Sequence, residues 1–306
     1  MMKKYLVILL LIALQPFALA QGRRGGTSND PFVLNENARP DQPLNDYGNF
    51  ITAGKTCRTD AGGILCQPTI NPAQKTLALI VLGASNGASV GPSAYVPSNT
   101  TVIDNLNIYN GALYVASDPL LGQSMSTLGP GSVSLILADG LIGIFNRVIL
   151  VNAAIGGSTS IMLGIGGVHY ERGCVAMRRL AAAGITAATT GVTIGLLFMT
   201  GENDTGTSAA NYQAAIQQQV AHIQSCGFSG RIFIPTETFL GGAVNATIQT
   251  AQANLVALGN PWFAGGNLDS LGTGSRQADQ THFTNAGQIS AEGLILNAMI
   301  ATGAPY

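Results

Sequence analysis

Apolar residues in this chain gather in short continuous runs. Leu77 to Leu82, Val148 to Val151 and Thr193 to Phe198 are of strand length and mostly apolar. A strand buried on both faces reads this way. Arg231 to Pro235 and Trp262 to Ala264 extend the series. Between the runs, segments 132–145, 170–183, 207–226, 243–258 and 285–301 read as helices. Strands alternating with helices predict an α/β fold around a mostly parallel sheet with right-handed crossovers. Stretch 99–128 is mixed and turn-rich, an excursion with short strands.

The start of the chain is patterned differently. Lys3 and Lys4 precede an apolar run from Tyr5 to Leu14, and Ala18-Leu19-Ala20 before Gln21 has a small-x-small cleavage pattern. The run is shorter than the ~20 residues a membrane span needs. The expectation is a signal peptide over 1–20, cleaved after Ala20, and a secreted or periplasmic protein without a stable membrane anchor. Residues 21–75 read as an extension rich in Gly, Asn, Asp and Pro, and 76–306 as the main domain.

Four cysteines follow the cleavage point. Cys57 and Cys66 flank a turn-rich segment, where a bridge closes a small hairpin. Cys174 and Cys226 either form a second bridge or stay as buried thiols. No Cys/His spacing suits zinc.

Composition narrows the function. Charged residues make up 9% of the chain and the formal net charge is -1. No basic patch is available to neutralise phosphates, so a nucleic-acid partner is not expected.

The candidate chemistry sits at the strand ends. Ser85 follows the first run, Gly156 and Gly157 the second, Asn203 the third. In an open parallel sheet, sites form outside the carboxyl ends of the strands. Near the end of the chain, Asp279 precedes His282 by three residues. If that segment turns like the start of a helix, the carboxylate meets one ring nitrogen and leaves the other as a base. Ser85 is then the nucleophile, His282 the base and Asp279 its orienting acid. The backbone N–H groups of Ser85 and Gly157 and the amide of Asn203 are the oxyanion donors. Asn86, Glu202 and Asp204 are candidates for substrate binding or for contacts behind the triad. Each part has a bland alternative: a loop serine, a helix-entry turn, helix-capping Asn203, Asp279 and Thr284. His169 and His222 have no carboxylate at useful spacing and read as structural or surface residues.

Taken in order, Ser85, Gly157, Asn203 and His282 resemble the four blocks of the SGNH (GDSL-like) hydrolases over roughly Leu77 to Ile300. Gly201-Glu202-Asn203-Asp204 and Asp279-x-x-His282 match the family's third and last blocks. Gly83-Ala84-Ser85-Asn86 departs from GDSL and is closer to the GQSN form of the carbohydrate and sialate O-acetylesterase branch. The resemblance implies a flavodoxin-like three-layer α/β/α fold with a parallel sheet of about five strands. It further implies no metal and ester hydrolysis through an acyl-enzyme; no cofactor is expected. The expected substrate is a short, acetyl-type ester on a carbohydrate. Two other readings remain: a lipase or aryl-esterase, for which Gly83-x-Ser85-x-Gly87 also fits the α/β-hydrolase nucleophile elbow, and a non-catalytic exported carbohydrate-binding module.

Overall fold

The structure, a computed structural model, describes residues 55–58, 66–123 and 129–303. The expected signal peptide, the leader up to residue 54 and the turn between Cys57 and Cys66 lie outside them. Seven strands form one sheet: β1 (Thr76–Gly83), β2 (Ile103–Leu106), β3 (Leu113–Val115), β4 (Arg147–Asn152), β5 (Val192–Met199), β6 (Arg231–Thr236) and β7 (Trp262–Asn267). Their order is β3-β2-β4-β1-β5-β6-β7. All neighbours run parallel except β2 and β3.

The five apolar runs are β4-β1-β5-β6-β7, adjacent in space and in the flavodoxin order. The expected count of about five is corrected to seven. The two additions, β2 and β3, come from the turn-rich excursion. β2 hid because half of Ile103-Asp104-Asn105-Leu106 is polar yet fully buried. Asn105 Nδ2 donates to Leu121 O at 3.2 Å and its Oδ1 accepts from Leu121 N at 2.6 Å. Asp104 takes Arg58 Nε and, at 2.6 Å, Arg147 Nε. Buried polar groups with partners of this kind can sit inside a strand.

The β1 run splits by alternation. Leu77, Leu79 and Val81 pack with helices α1 (Val133–Leu141) and α6 (Asn285–Ala301). Ala78, Ile80 and Leu82 pack with α3 (Arg172–Ala182), α4 (Ala209–Ser225) and α5 (Ala246–Val256). Each such Leu, Ile or Val side chain stabilises the fold by about 1.5–3 kcal/mol. A short helix α2 (Ser160–Leu163) follows β4. Helix starts follow the sequence: Ser132, Ser208 and Thr284 side chains accept from Leu135 N, Asn211 N and Gly287 N.

Both cysteine pairs are disulfides, with Cα–Cα distances of 5.0 Å for Cys57–Cys66 and 5.5 Å for Cys174–Cys226. The first lies at the sheet edge: Cys57 pairs with Tyr114 of β3, and Val115 N donates to Thr56 O at 2.9 Å. The second ties α3 to the end of α4 across 52 residues, about 4 kcal/mol on the loop-entropy account. Among the described residues no helix is long and apolar enough to cross a membrane.

Candidate active site

The strand order reverses at β1, which lies between β4 and β5. A crevice at the carboxyl ends forms at such a reversal. Gly83 ends β1 at φ 140, and a Cβ there would lie 1.8 Å from Met199 O. Only glycine allows that approach. Ala84 N then donates to Met199 O at 2.7 Å, and a single 3-10 turn, Ser85–Gly87, sets the Ser85 side chain at the strand end.

The neighbouring loops are sewn to this turn. Ile155 N donates to Gly83 O at 3.0 Å, and Asn152 Nδ2 to Gly87 O at 2.9 Å. Asp204, after β5, accepts from Ser160 N at 3.1 Å and from Ser160 Oγ at 2.6 Å. So the loops after β1, β4 and β5 converge as the strand-end rule requires.

The last loop completes the group. His282 Nε2 lies 2.8 Å from Ser85 Oγ, and Nδ1 lies 2.6 Å from Asp279 Oδ2. Asp279 and His282 do not begin a helix, since α6 starts at Asn285. They sit in a turn with Gln280 at φ 55, where Asp279 Oδ1 accepts from Thr281 N at 2.9 Å and His282 N at 3.1 Å. Thr284, not Asp279, caps α6. The turn is braced by Arg276, whose Nη1 donates to Thr281 O at 2.7 Å, and by fully buried Phe283. Burial alone would raise the Asp279 carboxyl. Hydrogen bonds from His282 and from the backbone N–H groups of Thr281 and His282 outweigh it and hold the group below the ordinary carboxylate range.

The three expected oxyanion donors lie on the converging loops. Among the described residues, neither Ser85 N–H nor Gly157 N–H meets a backbone acceptor in its turn. Gly157 sits at φ 75 and is exposed, with nothing within 4 Å of where a Cβ would point. Asn203 Nδ2 donates one hydrogen to Ser158 O at 3.4 Å, which leaves its second hydrogen for another acceptor.

Of the residues assigned to binding or support, none faces solvent. Asp204 holds the start of α2. Asn86 is 1% exposed, and its side-chain amide faces the carboxyl of Glu237. Glu202 is 0% exposed, and its Oε1 lies 3.3 Å from Ser85 Oγ. Burial pushes the Glu202 carboxyl up to about 7. Two residues that the sequence did not single out join it. Glu237, after β6, is 0% exposed, and burial followed by the nearness of Glu202 raises it well above the ordinary range. Burial lowers the Arg276 guanidinium, against the pull of Glu237, Asp269, Glu202 and Asp279. A carboxylate directly after a buried strand was the available signal for Glu237.

The other histidines stand apart from this group. His222 does meet a carboxylate, Glu171 Oε1 at 3.1 Å, brought from 51 residues away, and stacks on Tyr170. It lies beside Cys174 and Cys226, which are already tied to each other. His169 is buried. A cleft of about 370 Å³, lined by Val192, Thr193, Gly230, Arg231 and Asn260, opens at the amino ends of β5 and β6. It lies at the edge opposite Ser85, and Arg231 is its one titratable lining residue among the described residues.

No family model matches this chain, and no curated protein matches it in sequence. Solved structures do. A protein from Arabidopsis thaliana aligns at TM-score 0.57 and 15% identity, over 76% of this chain and 100% of its own. A protein from Bacillus subtilis aligns at TM-score 0.45 and 15% identity, over 79% of this chain and 59% of its own. A carbohydrate esterase family 3 protein from Talaromyces cellulolyticus aligns at TM-score 0.43 and 11% identity, over 74% of this chain and 97% of its own. The chain thus has the three-layer α/β/α fold, with flavodoxin-like strand order, that it shares with the Arabidopsis protein.

Proposed function

We propose that this chain is an exported serine esterase of the SGNH type that removes short acyl groups, acetyl foremost, from a carbohydrate. The observation that carries this reading is the continuous relay Ser85 Oγ–His282 Nε2 at 2.8 Å and His282 Nδ1–Asp279 Oδ2 at 2.6 Å. Its members come from two segments 197 residues apart. In the reaction, His282 takes the hydroxyl proton as Ser85 Oγ bonds to the ester carbonyl carbon. The carbonyl oxygen becomes an oxyanion between Ser85 N–H, Gly157 N–H and the Asn203 amide. His282 then returns the proton to the leaving alcohol. Water, deprotonated by the same imidazole, releases the acid from the acyl-enzyme. Asp279 fixes the tautomer and stabilises the imidazolium.

Export is supported by the pattern of residues 3–20 and by two disulfides. The low charge suits a neutral polymer substrate. A second reading, an esterase for longer acyl or aryl esters, is favoured by exposed apolar residues following the Gly157 loop: Ile161, Ile165 (66%) and Val168 (71%).

Turnover of p-nitrophenyl acetate tests the enzyme reading. Wild type is expected to hydrolyse it, and Ser85→Ala to lose at least three orders of magnitude, on the order of triad losses elsewhere. Equal rates for the two would end it. p-Nitrophenyl esters of increasing chain length, set against acetylated polysaccharides, separate the two substrate readings.

A further inference from the structure

The Ser85 hydroxyl has one proton and two acceptors facing it. His282 Nε2 is 2.8 Å away and Glu202 Oε1 is 3.3 Å away. These two partners make opposite demands. Nucleophilic attack needs the proton on the line to His282. An ionised Glu202 would compete for that proton, and would place a negative charge beside an oxygen that itself gains charge during attack.

The surroundings of Glu202 decide which form it takes. It is 0% exposed, and Oε2 has no hydrogen-bond partner among the described residues. The groups facing it come from every adjoining loop. From the β1 turn there are the Ser85 hydroxyl and the backbone N–H of Asn86. From its own loop there is Asp204, committed to Ser160. From the β6 end there is Glu237, fully buried, whose carboxyl faces Glu202 and the side-chain amide of Asn86. Tyr212 of α4 directs its hydroxyl to Thr200 O at 2.9 Å. Beyond Glu237, Asp269 accepts from Thr238 N and Oγ1, Phe239 N and Gln249 Nε2. From the last loop come Arg276, Asp279 and His282. Arg276 gives Nη1 and Nη2 to the carbonyls of Thr281 and Leu268, not to either glutamate. Glu202, Glu237 and Asp269 thus share one guanidinium, on which Asp279 also pulls. A buried group of that make-up must hold protons.

We propose that Glu202 acts as a neutral carboxylic acid that donates its O–H to Ser85 Oγ, committing the serine proton to His282, and that loss of the Glu202 proton switches the nucleophile off. The inference rests on the esterase reading above and goes beyond the triad. Burial, aided by Asp204, outweighs the backbone N–H groups of Glu202 and Asn86 and the Ser85 hydroxyl, and raises the Glu202 carboxyl to about 7. Burial, followed by the nearness of Glu202, raises Glu237 well above the ordinary carboxylate range as well. On ionisation the Glu202 proton leaves to solvent base. Its oxygen then turns from donor to acceptor, and the Ser85 proton is drawn away from His282. The site thereby gains an alkaline limit of its own.

The test is the pH dependence of kcat/KM for p-nitrophenyl acetate, corrected for spontaneous hydrolysis, in wild type, Glu202→Gln and Ser85→Ala. The same series is repeated as the rate of inactivation by a small fluorophosphonate, which needs no knowledge of the substrate. Wild type is expected to decline about tenfold per pH unit above a midpoint near 7. Gln keeps an N–H donor and cannot ionise, so Glu202→Gln is expected to lack the alkaline decline and to exceed wild type by about tenfold or more near pH 9. A purely structural Glu202 would give parallel profiles, which overturns the proposal. So does a folded Glu202→Gln enzyme that is inactive at every pH, because the ionised carboxylate would then be the working form. If Glu202→Gln does not fold, the wild-type profile decides alone: a rate that is flat or rising from pH 7 to 9 overturns the proposal. Wild-type activity in Ser85→Ala would instead sink the esterase reading itself.

Discussion

Replacing Asp279 by Asn keeps shape and removes only charge and an acceptor. Its consequence follows from the turn geometry. Asp279 Oδ1 accepts two backbone N–H groups, from Thr281 at 2.9 Å and His282 at 3.1 Å. An Asn side chain must turn its carbonyl oxygen to those donors, because its NH2 cannot accept. The NH2 then faces His282 Nδ1, where Asp279 Oδ2 lies at 2.6 Å. A donor facing Nδ1 forces the ring proton to Nε2. Nε2–H points at Ser85 Oγ and cannot receive its proton. The base is lost although every atom stays in place. We expect kcat for p-nitrophenyl acetate at neutral pH to fall about 10⁴-fold, equivalent to about 5.4 kcal/mol of barrier. The assay is steady-state kinetics of both proteins, with thermal melts to check folding. Asp279→Asn retaining more than about a tenth of wild-type kcat would refute the tautomer argument.

Three further outcomes follow from other parts of the structure. Asn203→Ala removes a proposed oxyanion donor and is expected to lower kcat about 10²–10³-fold with little change in KM; a pure KM effect in steady-state kinetics contradicts the assignment. Gly83→Ala places a Cβ 1.8 Å from Met199 O at φ 140, and should lower unfolding free energy on the order of 3 kcal/mol in urea titration; an unchanged midpoint counts against the described β1 ending. Burial raises Asp118 to about 6, despite its hydrogen bonds from Ser132 and Tyr95 and the nearby Lys55 ammonium. A raised carboxyl binds more proton folded than unfolded, so its contribution to stability is lost as pH rises from about 4 to about 6. Relative to wild type, Asp118→Asn should therefore gain about 2–3 kcal/mol between pH 4 and 7 by denaturant titration, and a pH-independent difference would contradict this.

The sheet was legible where burial leaves an unbroken apolar run, as in Leu77 to Leu82, whose alternate residues enter two different cores. It was illegible where burial is polar. Asp104 and Asn105 look like loop residues until Arg58, Arg147 and Leu121 are brought to them through the fold. Ser85, Asp279 and His282 stood out because one pair is local in sequence and the serine marks a strand end. The form of the Asp279 turn did not, since Gln280 gives no sign of its φ of 55. Glu237 and Arg276 were hidden for a related reason. A single charged residue after a strand resembles ordinary surface charge, and only the packing of the last loop over β6 buries it. The contact of His222 with Glu171 likewise exists only once α3 and α4 are side by side.

The central claim is that Ser85 becomes acylated with His282 as its base. Rapid acid quench of wild type with p-nitrophenyl acetate, followed by intact-mass and peptide mass spectrometry, measures this directly. One acetyl group on the peptide carrying Ser85, absent in Ser85→Ala and strongly reduced in His282→Ala, is the predicted result. Turnover without a label on Ser85, or equal labelling in His282→Ala, would contradict it.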